Sequence, residues 1–585
     1  MSSSSSIEVL QLQSGHTGQV RLGAGSASSC RRRIHLDNDP DADRSELAPP
    51  DPAAALIRRE IGVHRVATLA RVAVPGARLG QDLRVGARQA IIDILVPGPD
   101  GGFVPVLVRG HRTLDAGCGA IVSSLADPLR WERSAGLRVR PHHEDALALA
   151  HCHRLLTDLG LAGPQAIGGV IGRGNPDDET ICWYDLSAPG AGGAAVSSGV
   201  ASCGPVSSGA GAGAGAGAGT SPDGAAPTRT ILDDYDARFA DRVAVADAAR
   251  RRERPLASPS RVSECRRCPW NPICTVELTL GRDVSLIAPG SDAAGLRSVG
   301  VVTIDDLASA DDEQLASVAP SRNTGALRGP ELRLRARAWQ ADAVLIRRRD
   351  AVHVPRADIE LDVDMECFID DGAYLWGTYL TGSSAGMAAA AAAGFEGGYQ
   401  PFVTWEPLPD RAEGVMFAAF WAYLRELQVI ANNAGLKFAA YCYSRQAEER
   451  WLFSTPARYP DVPGMPAAQE VRAFTSSASW VDMYEMLGRE FVAAGSKRLK
   501  TVAPLAGFQW RDPEPDGANS MVWYRAAVGA DGELPSEDQK QRLLEYNEDD
   551  VLATLALRRW MSEGAEADTP TVEELSRDQV ERRAG

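Results

Sequence analysis

Acidic and apolar residues alternate along residues 359–366, which read Ile-Glu-Leu-Asp-Val-Asp-Met-Glu. Because successive side chains of a strand point to opposite faces, this alternation predicts a β-strand with Asp362, Asp364 and Glu366 on one face. Neighbouring carboxylates repel one another unless the face is solvated or cations lie on it. The segment is therefore restricted to a strand whose acidic face meets water or positive charge, and the pattern alone does not distinguish the two.

A second acidic motif lies near the end of the chain, in residues 543–555, Leu-Leu-Glu-Tyr-Asn-Glu-Asp-Asp-Val-Leu-Ala-Thr-Leu. The apolar spacing of this segment predicts a helix that buries Leu544 and Val551. Tyr546 and Asp550 are four residues apart, so they are neighbours on one face of that helix. The strand motif is weak by itself, whereas the two motifs together are specific.

Together the two motifs resemble those of the DnaQ-like, or DEDD, 3′–5′ exonucleases, in the subgroup with a Tyr-x3-Asp last motif. The closest likeness is to the YprB-type ribonuclease-H-like domain, over residues 357–560. The resemblance implies that Asp364, Glu366 and Asp550 bind two Mg²⁺ or Mn²⁺ ions. It also implies that Tyr546 positions the attacking water. Two such ions stabilise the attacking and leaving oxygens of a displacement at phosphorus.

The remaining carboxylate of the family pattern is less clearly represented. The family has Asn-Gly-x2-Phe-Asp there, whereas residues 440–451 read Ala-Tyr-Cys-Tyr-Ser-Arg-Gln-Ala-Glu-Glu-Arg-Trp. We select Glu448 as this ligand, with Asp482 as the rival. Glu448 has an equally simple interpretation as a solvated helix residue.

Several basic residues are candidates for binding nucleic acid. The segment Gly-Ser-Lys-Arg-Leu-Lys at 495–500 resembles the lysine-containing segment of the same exonucleases, so Lys497 and Lys500 are expected to contact backbone phosphate. Eight arginines and only three acidic residues lie between residues 328 and 356. This segment begins with a predicted basic helix, and we include its Arg333 and Arg337 among the nucleic-acid-binding residues.

Three cysteines, Cys265, Cys268 and Cys274, lie within ten residues. Three thiolates leave a tetrahedral metal site one ligand short. The candidates for the fourth ligand are Cys30, Cys118, Cys152, Cys182 and Cys203. Cys30 stands out because it precedes Arg-Arg-Arg near the start of the same domain.

This arrangement resembles the RecB-like nucleases, in which one N-terminal cysteine and a Cys-x2-Cys-x5-Cys set hold a four-iron cluster. The resemblance covers residues 26–286 and implies a PD-(D/E)XK-type α/β domain with a [4Fe-4S] cluster. Such a cluster would join distant parts of the chain and stabilise the fold, without a part in catalysis. A Zn²⁺ site with the same four ligands remains open, as do cysteines that bind no metal.

The nuclease motifs of that family are mostly missing here. Active members have a helical His, a strand Asp, an Asp/Glu-x-Lys strand and a helical Gln-x3-Tyr. The corresponding residues are His64, Asp93, Leu107, Arg109, Ala148 and Cys152. Because leucine cannot bind a cation, we expect this domain to be a degenerate nuclease that binds nucleic acid without cutting it.

The sequence thus predicts an α/β protein of several domains. The predicted divisions are a RecB-like domain over residues 1–286 with a flexible Gly/Ala/Ser insertion at 187–228, a helix-hairpin-helix-like connector over 287–350, a ribonuclease-H-like domain over 351–563, and a polar tail over 564–585. The connector is predicted from two short apolar helical patterns on either side of Gly300.

The net charge of -16 argues against a surface that attracts nucleic acid everywhere, but the basic clusters allow local binding. The longest apolar run, around the alanine tract at 388–393, is far short of the roughly 20 residues that a membrane span needs. We therefore expect a cytoplasmic protein without a membrane partner.

The function predicted is a metal-dependent nuclease, specifically a 3′–5′ exonuclease on DNA or RNA. One alternative is a catalytically inactive accessory protein that binds nucleic acid and has a cysteine-ligated metal site. Another is a zinc-stabilised scaffold that binds no nucleic acid at all.

Overall fold

The computed structural model describes residues 20–174, 179–188, 229–318 and 329–575. Within these ranges the chain forms two compact units. The N-terminal unit contains the described parts of 1–49, 55–259 and 264–273, and the C-terminal unit contains those of 50–54, 260–263 and 274–585. From residue 189 onward, the predicted insertion lies outside the described residues. Cys203, residues 319–328 of the connector and the last ten residues of the chain also lie outside them. The connector belongs to the C-terminal unit.

Residues 20–286 form a mixed α/β structure. The helices are α1 (Arg31–Asn38), α2 (Pro52–Ala70), α3 (His143–Asp158), α4 (Ile231–Arg250) and α5 (Asn271–Leu280), with short 3-10 helices at Ser263–Arg267 and Val284–Leu286. The strands are β1 (Arg78–Val85), β2 (Arg88–Pro97), β3 (Phe103–Arg109), β4 (Leu114–Ala116), β5 (Ile121–Ser124), β6 (Glu132–Arg133), β7 (Leu137–Val139), β8 (Ile167–Gly172) and β9 (Thr180–Asp185).

The main sheet of the N-terminal unit has the order β1-β2-β3-β8-β9-β5-β6. Strands β3 and β8 are parallel, and the other neighbours are antiparallel. Helix α3 buries Leu149 and Leu156 in one core with Leu107 of β3 and Val170 of β8. The run of apolar residues in β3 and β8 reflects strands that are covered on both faces.

The connector has the predicted pair of short helices around a glycine. Its helices are α6 (Ser291–Ser298), α7 (Ile304–Ser309), α8 (Asp312–Ala316) and α9 (Gly329–Gln340). Gly300 lies between α6 and α7 with a φ of 84°, a conformation that glycine adopts without steric cost. Thr303 then caps α7 by accepting a hydrogen bond from the amide of Asp306.

The rest of the C-terminal unit is again α/β. Its strands are β10 (Leu345–Arg347), β11 (Ile359–Phe368), β12 (Gly372–Gly382), β13 (Gly398–Val403), β14 (Phe438–Cys442), β15 (Trp480–Asp482) and β16 (Phe491–Ala493). Its helices are α10 (Ser384–Ala392), α11 (Arg411–Asn433), α12 (Arg445–Arg458), α13 (Ala468–Thr475), α14 (Met483–Glu490), α15 (Leu499–Val502), α16 (Gly517–Ala527), α17 (Glu537–Glu563) and α18 (Ala565–Asp568), with 3-10 helices at Ala503–Ala506 and Ala530–Gly532.

The predicted acidic strand is β11, the central strand of a five-stranded sheet with the order β13-β12-β11-β14-β15. It pairs antiparallel with β12 and parallel with β14. Its apolar residues Ile359, Leu361 and Val363 are fully buried in one core with Phe417 and Phe420 of α11. The alternate residues lie on the opposite face of the strand, where α17 packs.

Helix α17 is the predicted helix of the second acidic motif. It begins after Ser536, whose side chain caps it by accepting from the amide of Gln539. Val551 is buried on it as predicted, but Leu543 rather than Leu544 is fully buried, and Tyr546 and Asp550 are buried as well. Helix α17 packs against β11 and β12, and also against α16 and the 3-10 helix at Ala503–Ala506.

Part of the predicted polar tail is folded. Residues 565–568 form α18, and Ala565 and Leu575 are buried. The amide of Arg347 in β10 donates to the carbonyl of Pro570 at 2.8 Å. None of the helices in the described ranges combines the length and apolar character that crossing a bilayer requires.

Candidate active site

The sheet and α17 bring together three carboxylates that are far apart in the sequence. The ligand atoms of Asp364, Glu366 and Asp550 all lie within 4.8 Å of one another, and no other such group of metal-ligating side chains occurs among the residues that the structure describes. Asp364 and Glu366 are two residues apart on β11, so they share a face. Asp550 meets them from α17.

Each of these carboxylates is held by a neutral hydrogen-bond donor. Asn547 Nδ2 donates to Asp364 at 2.8 Å, Ser520 Oγ donates to Glu366 at 2.7 Å, and Trp510 Nε1 donates to Asp550 at 2.7 Å. Asn547 is itself fixed, because its amide oxygen accepts from the Tyr399 hydroxyl at 2.8 Å. Such donors orient a carboxylate without neutralising its charge, as is typical of metal ligands.

Mutual repulsion and burial raise the pKa of these groups. Burial, followed by the charges of Asp550 and Glu366, raises the pKa of Asp364 well above its usual value. Burial and then Asp550 raise the pKa of Glu366 to about 8. Burial also raises the pKa of Asp550. A divalent cation would relieve this repulsion and allow all three groups to ionise.

Tyr546 lies at the edge of the carboxylate group and contacts Lys500. The ammonium of Lys500 donates to the Tyr546 hydroxyl, and it lies 3.7 Å from Asp550 Oδ2. Burial and then Asp550 raise the pKa of Tyr546, so its hydroxyl keeps its proton. The four-residue spacing in α17 explains why Tyr546 and Asp550 reach the same point.

Glu448 is close to the three carboxylates but not within the group that spans 4.8 Å. It lies in the first turn of α12, is 2% exposed, and its charge raises the pKa of Asp364. Its Oε2 atom is buried and has no hydrogen-bond partner in the described part of the chain. A buried carboxylate oxygen without a donor is costly unless a cation binds there.

Asp482, the rival for that role, is occupied by the backbone. Its carboxylate caps α14 and also accepts from the start of α12, at distances of 2.9 to 3.2 Å. The four donors are the amides of Ser444, Arg445, Tyr484 and Glu485. These contacts favour Glu448 as the fourth carboxylate, because Asp482 already serves to join the two helix ends.

Asp362, the third acidic residue of the predicted strand face, is not part of this group. It is fully buried and pairs with Arg558 of α17, with Oδ2 2.7 Å from Nη2. Arg558 Nη1 also lies 2.6 Å from Glu360 Oε2. One face of β11 therefore meets a fixed cation at one end, whereas Asp364 and Glu366 at the other end meet the carboxylate of Asp550 and the neutral amide of Asn547 on α17.

Gly377 provides space for this arrangement. It pairs with Asp364 across the β11–β12 ladder, and a Cβ atom at Gly377 would lie only 1.7 Å from Asn547 Oδ1. Any larger residue must therefore displace Asn547, the donor that holds Asp364.

We expect Gly377→Ala to weaken metal binding by the three carboxylates, and any activity that depends on it, by about 10-fold to 100-fold, because Asp364 loses its orientation. A titration of activity against Mn²⁺ concentration, together with a thermal melt, measures both effects. Gly62→Ala is the matched control, since a Cβ atom there meets nothing within 4 Å. Unchanged activity in Gly377→Ala would contradict the importance of the Asn547 contact.

The other predicted basic residues differ in their contacts. Arg333 donates to the carbonyl of Ala310 at 2.9 Å and pairs with Asp312, and Arg337 donates to the carbonyl of Ala308 at 3.2 Å. Both guanidinium groups thus join helices of the connector. Lys497 has its ammonium 4.0 Å from the centre of the Tyr484 ring. Their binding to nucleic acid stays a prediction.

The thiols of the predicted cysteine site do not form a metal-ligating group of three or more in the described ranges, although the segments of Cys30 and Cys265 meet in the N-terminal unit. The amide of Cys30 donates to Glu264 Oε2 at 2.6 Å, and Arg33 donates to Glu264 Oε1 at 2.7 Å. Arg33 also lies close enough to Cys268 to lower the pKa of its thiol, although burial raises that pKa overall. The start of α1 therefore meets the turn that carries Cys265 and Cys268, while Cys274 begins the other unit.

The N-terminal positions that correspond to nuclease residues contain arginine-carboxylate pairs. Asp93 on β2 is 4% exposed, accepts from the amide of Val108 at 2.8 Å and pairs with Arg65. Arg109 on β3 pairs with Asp145 at 2.7 Å. Guanidinium groups thus neutralise these two carboxylates, and the loss of cleavage in this domain stays a prediction.

Comparison with known families supports the fold of the C-terminal unit. A family model described as the RNase H superfamily matches residues 459–562. Residues 459–562 are therefore similar to an RNase H superfamily domain. The matched range includes Lys500, Tyr546 and Asp550, but it begins after the strand that carries Asp364 and Glu366. No curated protein and no solved structure matches the chain.

Sequence reasoning missed the residues that orient the carboxylates, namely Asn547, Ser520, Trp510 and Tyr399. Asn547 is the one with a usable signal, because it lies three residues before Asp550 on the same face of α17. The others lie on loops or elements whose relation to β11 is not encoded in a local pattern.

Proposed function

We propose that the protein is a metal-dependent nuclease whose C-terminal RNase-H-like domain hydrolyses phosphodiester bonds, as a 3′–5′ exonuclease on DNA or RNA. The observation that carries the proposal is the group of Asp364, Glu366 and Asp550, with ligand atoms within 4.8 Å. Oxygen ligands of this kind suit Mg²⁺ and Mn²⁺. The RNase H superfamily match over residues 459–562 supports the same assignment.

The residues fit a pair of divalent ions. Asp364, Glu366 and Asp550 would hold them, and Glu448 would add a fourth carboxylate on the outer side of the group. Two ions lie about 3.5–4 Å apart in such sites, so the outermost ligand is expected beyond the tight group. When bound, the ions stabilise the attacking and leaving oxygens of the displacement at phosphorus.

The chain's own groups then account for orientation and proton placement. The Tyr546 hydroxyl, held by Lys500, retains its proton and has a lone pair left to accept from the attacking water. Lys500 also brings positive charge to within 3.7 Å of Asp550, where the phosphate approaches. Asn547, Ser520 and Trp510 keep the carboxylates oriented.

End-labelled substrates test this proposal. Single strands and duplexes of DNA and RNA, labelled at either end, are incubated with Mg²⁺ or Mn²⁺. A 3′–5′ exonuclease shortens the 5′-labelled strand stepwise, releases mononucleotides from a 3′ label, and leaves a circular strand intact. Cleavage of the circle would reject the exonuclease assignment. Binding without any cleavage would favour the inactive accessory protein.

We expect Mn²⁺ to bind roughly 100-fold more tightly at pH 8 than at pH 6. Burial and then Asp550 raise the pKa of Glu366 to about 8 in the metal-free protein, so at pH 6 its proton must be displaced. Displacement of one proton weakens binding about tenfold for each pH unit below that pKa. Calorimetric titrations at the two pH values measure the difference. An affinity that does not change with pH would contradict this assignment.

We further propose that Cys30, Cys265, Cys268 and Cys274 hold a [4Fe-4S] cluster, with Zn²⁺ as the alternative. The contact of the Cys30 amide with Glu264 brings the segment of Cys30 next to that of Cys265, which supports the proposal for these two, although no three of the four thiols lie within 4.8 Å of one another among the described residues. The cluster would stabilise the fold by closing a long loop. Brown protein prepared without oxygen, with absorption near 400 nm and about four irons per chain, is expected. Colourless, zinc-loaded protein would reject the cluster.

A further inference from the structure

A cavity of about 440 Å³ in the C-terminal unit is surrounded by positive charge. The charged side chains of its lining are Glu331, Arg335, Arg348, Lys497 and Arg498, and Tyr484 lies among them. These residues come from α9, the end of β10, α14 and the segment before α15. Four cations and one carboxylate thus face a single space in a chain whose net charge is -16.

The two arginines are fixed in the wall of the cavity by backbone carbonyls. Arg335 donates to the carbonyls of Ala493 and Gly495 at 3.0 and 3.3 Å. Arg348 donates to the carbonyls of Gly488 and Phe491 at 3.1 and 3.2 Å. A guanidinium has five N–H groups, so each arginine keeps donors for a further acceptor.

The cavity contains more positive than negative charge. Glu331, the only carboxylate among its lining residues, accepts two hydrogen bonds from the guanidinium of Arg348. In the described ranges, Arg335, Lys497 and Arg498 take part in no ion pair. Burial lowers the pKa of Arg335, and burial followed by Arg348 lowers that of Lys497. A bound anion stabilises the charged form most strongly in such partly buried cations, whose pKa is lowered by burial.

We infer that this cavity binds a phosphate group of the nucleic-acid strand other than the one that is cleaved. The inference rests on the proposed nuclease function. Lys497 and Lys500 are three residues apart, so their Cα atoms lie at most about 11 Å from each other. Because Lys500 contacts Tyr546 and Asp550, one strand can reach both lysines. Arginine forks match the oxygens of phosphate.

Tyr484 favours a nucleotide over a free anion as the occupant. The residue is 39% exposed, and the Lys497 ammonium lies over one face of its ring, 4.0 Å from the ring centre, so a base can stack only on the other face. An exposed ring next to a cation is a typical stacking surface for a base of a single strand. The cavity therefore offers contacts for a phosphate and for the base attached to it.

Neutral linkages in the substrate locate this phosphate. The affinity of the protein for a fluorescent single strand is measured in EDTA, which prevents cleavage. A series of strands is used, each with one neutral methylphosphonate at a different position. In the natural protein, one position near the 3′ end is expected to weaken binding about tenfold, in addition to any effect at the scissile linkage. In the variant Lys497→Gln/Arg498→Gln, this position should no longer matter, and the slope of log K against log salt should become shallower by about 0.7.

Controls separate this inference from its alternatives. Arg489→Gln, an exposed residue of the same α14, is expected to behave as the natural protein does. Identical methylphosphonate profiles in the natural and double-variant proteins would overturn the inference. The inference would also be overturned if inorganic phosphate or a nucleoside monophosphate saturated the cavity while the double variant bound the strand as tightly as the natural protein does. Because binding is measured without metal, an absence of cleavage would reject the nuclease and leave this result intact.

Discussion

Asp364→Asn is expected to reduce phosphodiester cleavage on the order of 1000-fold, which corresponds to about 4 kcal/mol of transition-state stabilisation. Asp364 lies on β11 at the centre of the carboxylate group, where Glu366 and Asp550 approach it within 4.8 Å. Asparagine keeps the size of the side chain and can still accept from Asn547, but it removes the charge that a divalent cation requires. Asp550→Asn should have a comparable effect.

Thermal melting distinguishes this loss from unfolding. Without metal, the pKa of Asp364 is raised by burial and by its acidic neighbours, so a neutral residue there should leave the melting temperature unchanged or higher. In Mn²⁺, the natural protein should gain stability by metal binding and the variant should not. Glu545→Gln, on the surface of the same α17, is the control that should keep full activity. Cleavage by Asp364→Asn at the natural rate would reject the proposed site.

The parts of this site that follow a short-range period could be predicted from the sequence. Alternation placed Asp364 and Glu366 on one face of β11, and the four-residue spacing placed Tyr546 and Asp550 on one face of α17, whereas their selection as site residues rested on the resemblance to the DEDD exonucleases. Both signals depend only on neighbours along the chain. The family match over residues 459–562 independently supports the RNase-H-like domain in which α17 lies.

The remaining features depend on contacts between distant elements. Asp362 has the same alternation as Asp364, yet it is neutralised by Arg558, almost two hundred residues later. The residue of α17 that lies opposite therefore decides whether an acidic residue of β11 is neutralised by a cation, as Asp362 is, or is not, as for Asp364. Arg558 is on the same side of the helix as Asp550 and two turns beyond it, so the pattern of α17 could have suggested the division only once its pairing with β11 was known.

The basic helix shows a similar limit. Arg333, Arg335 and Arg337 follow one another at intervals of two residues. On a helix, side chains two residues apart point in directions that differ by about 200°. Arg333 and Arg337 therefore contact the connector, whereas Arg335 faces the cationic cavity. Composition predicted a basic helix without showing which arginine remains available to an anion. The overall negative charge likewise concealed this local excess of positive charge.

We expect Arg558→Leu to destabilise the C-terminal unit by about 3–5 kcal/mol, which lowers its melting temperature on the order of 10 °C. Arg558 is fully buried and pairs with Glu360 and Asp362 at 2.6 and 2.7 Å. Its loss would leave two buried carboxylates without their shared counter-ion. Arg559→Leu, an exposed neighbour on the same helix, is the matched control and should change the melting temperature little.

The effect of Arg558→Leu should be largest at neutral pH and smaller toward pH 4. Burial opposes ionisation of Glu360, but hydrogen bonding to Arg356 and the charge of Arg558 hold its pKa at about 2, below the usual 4.5. Its contribution is therefore complete above about pH 4.5 and is lost as the pH falls through about 2.

For Asp362, burial outweighs Arg558 and raises the pKa. Without Arg558, Glu360 still pairs with Arg356, whereas Asp362 can regain neutrality only by protonation, which acid favours. Melts of the variant and the natural protein from pH 4 to 8 measure this difference, and an equal loss of stability at every pH would show that lost packing, rather than unpaired charge, causes it.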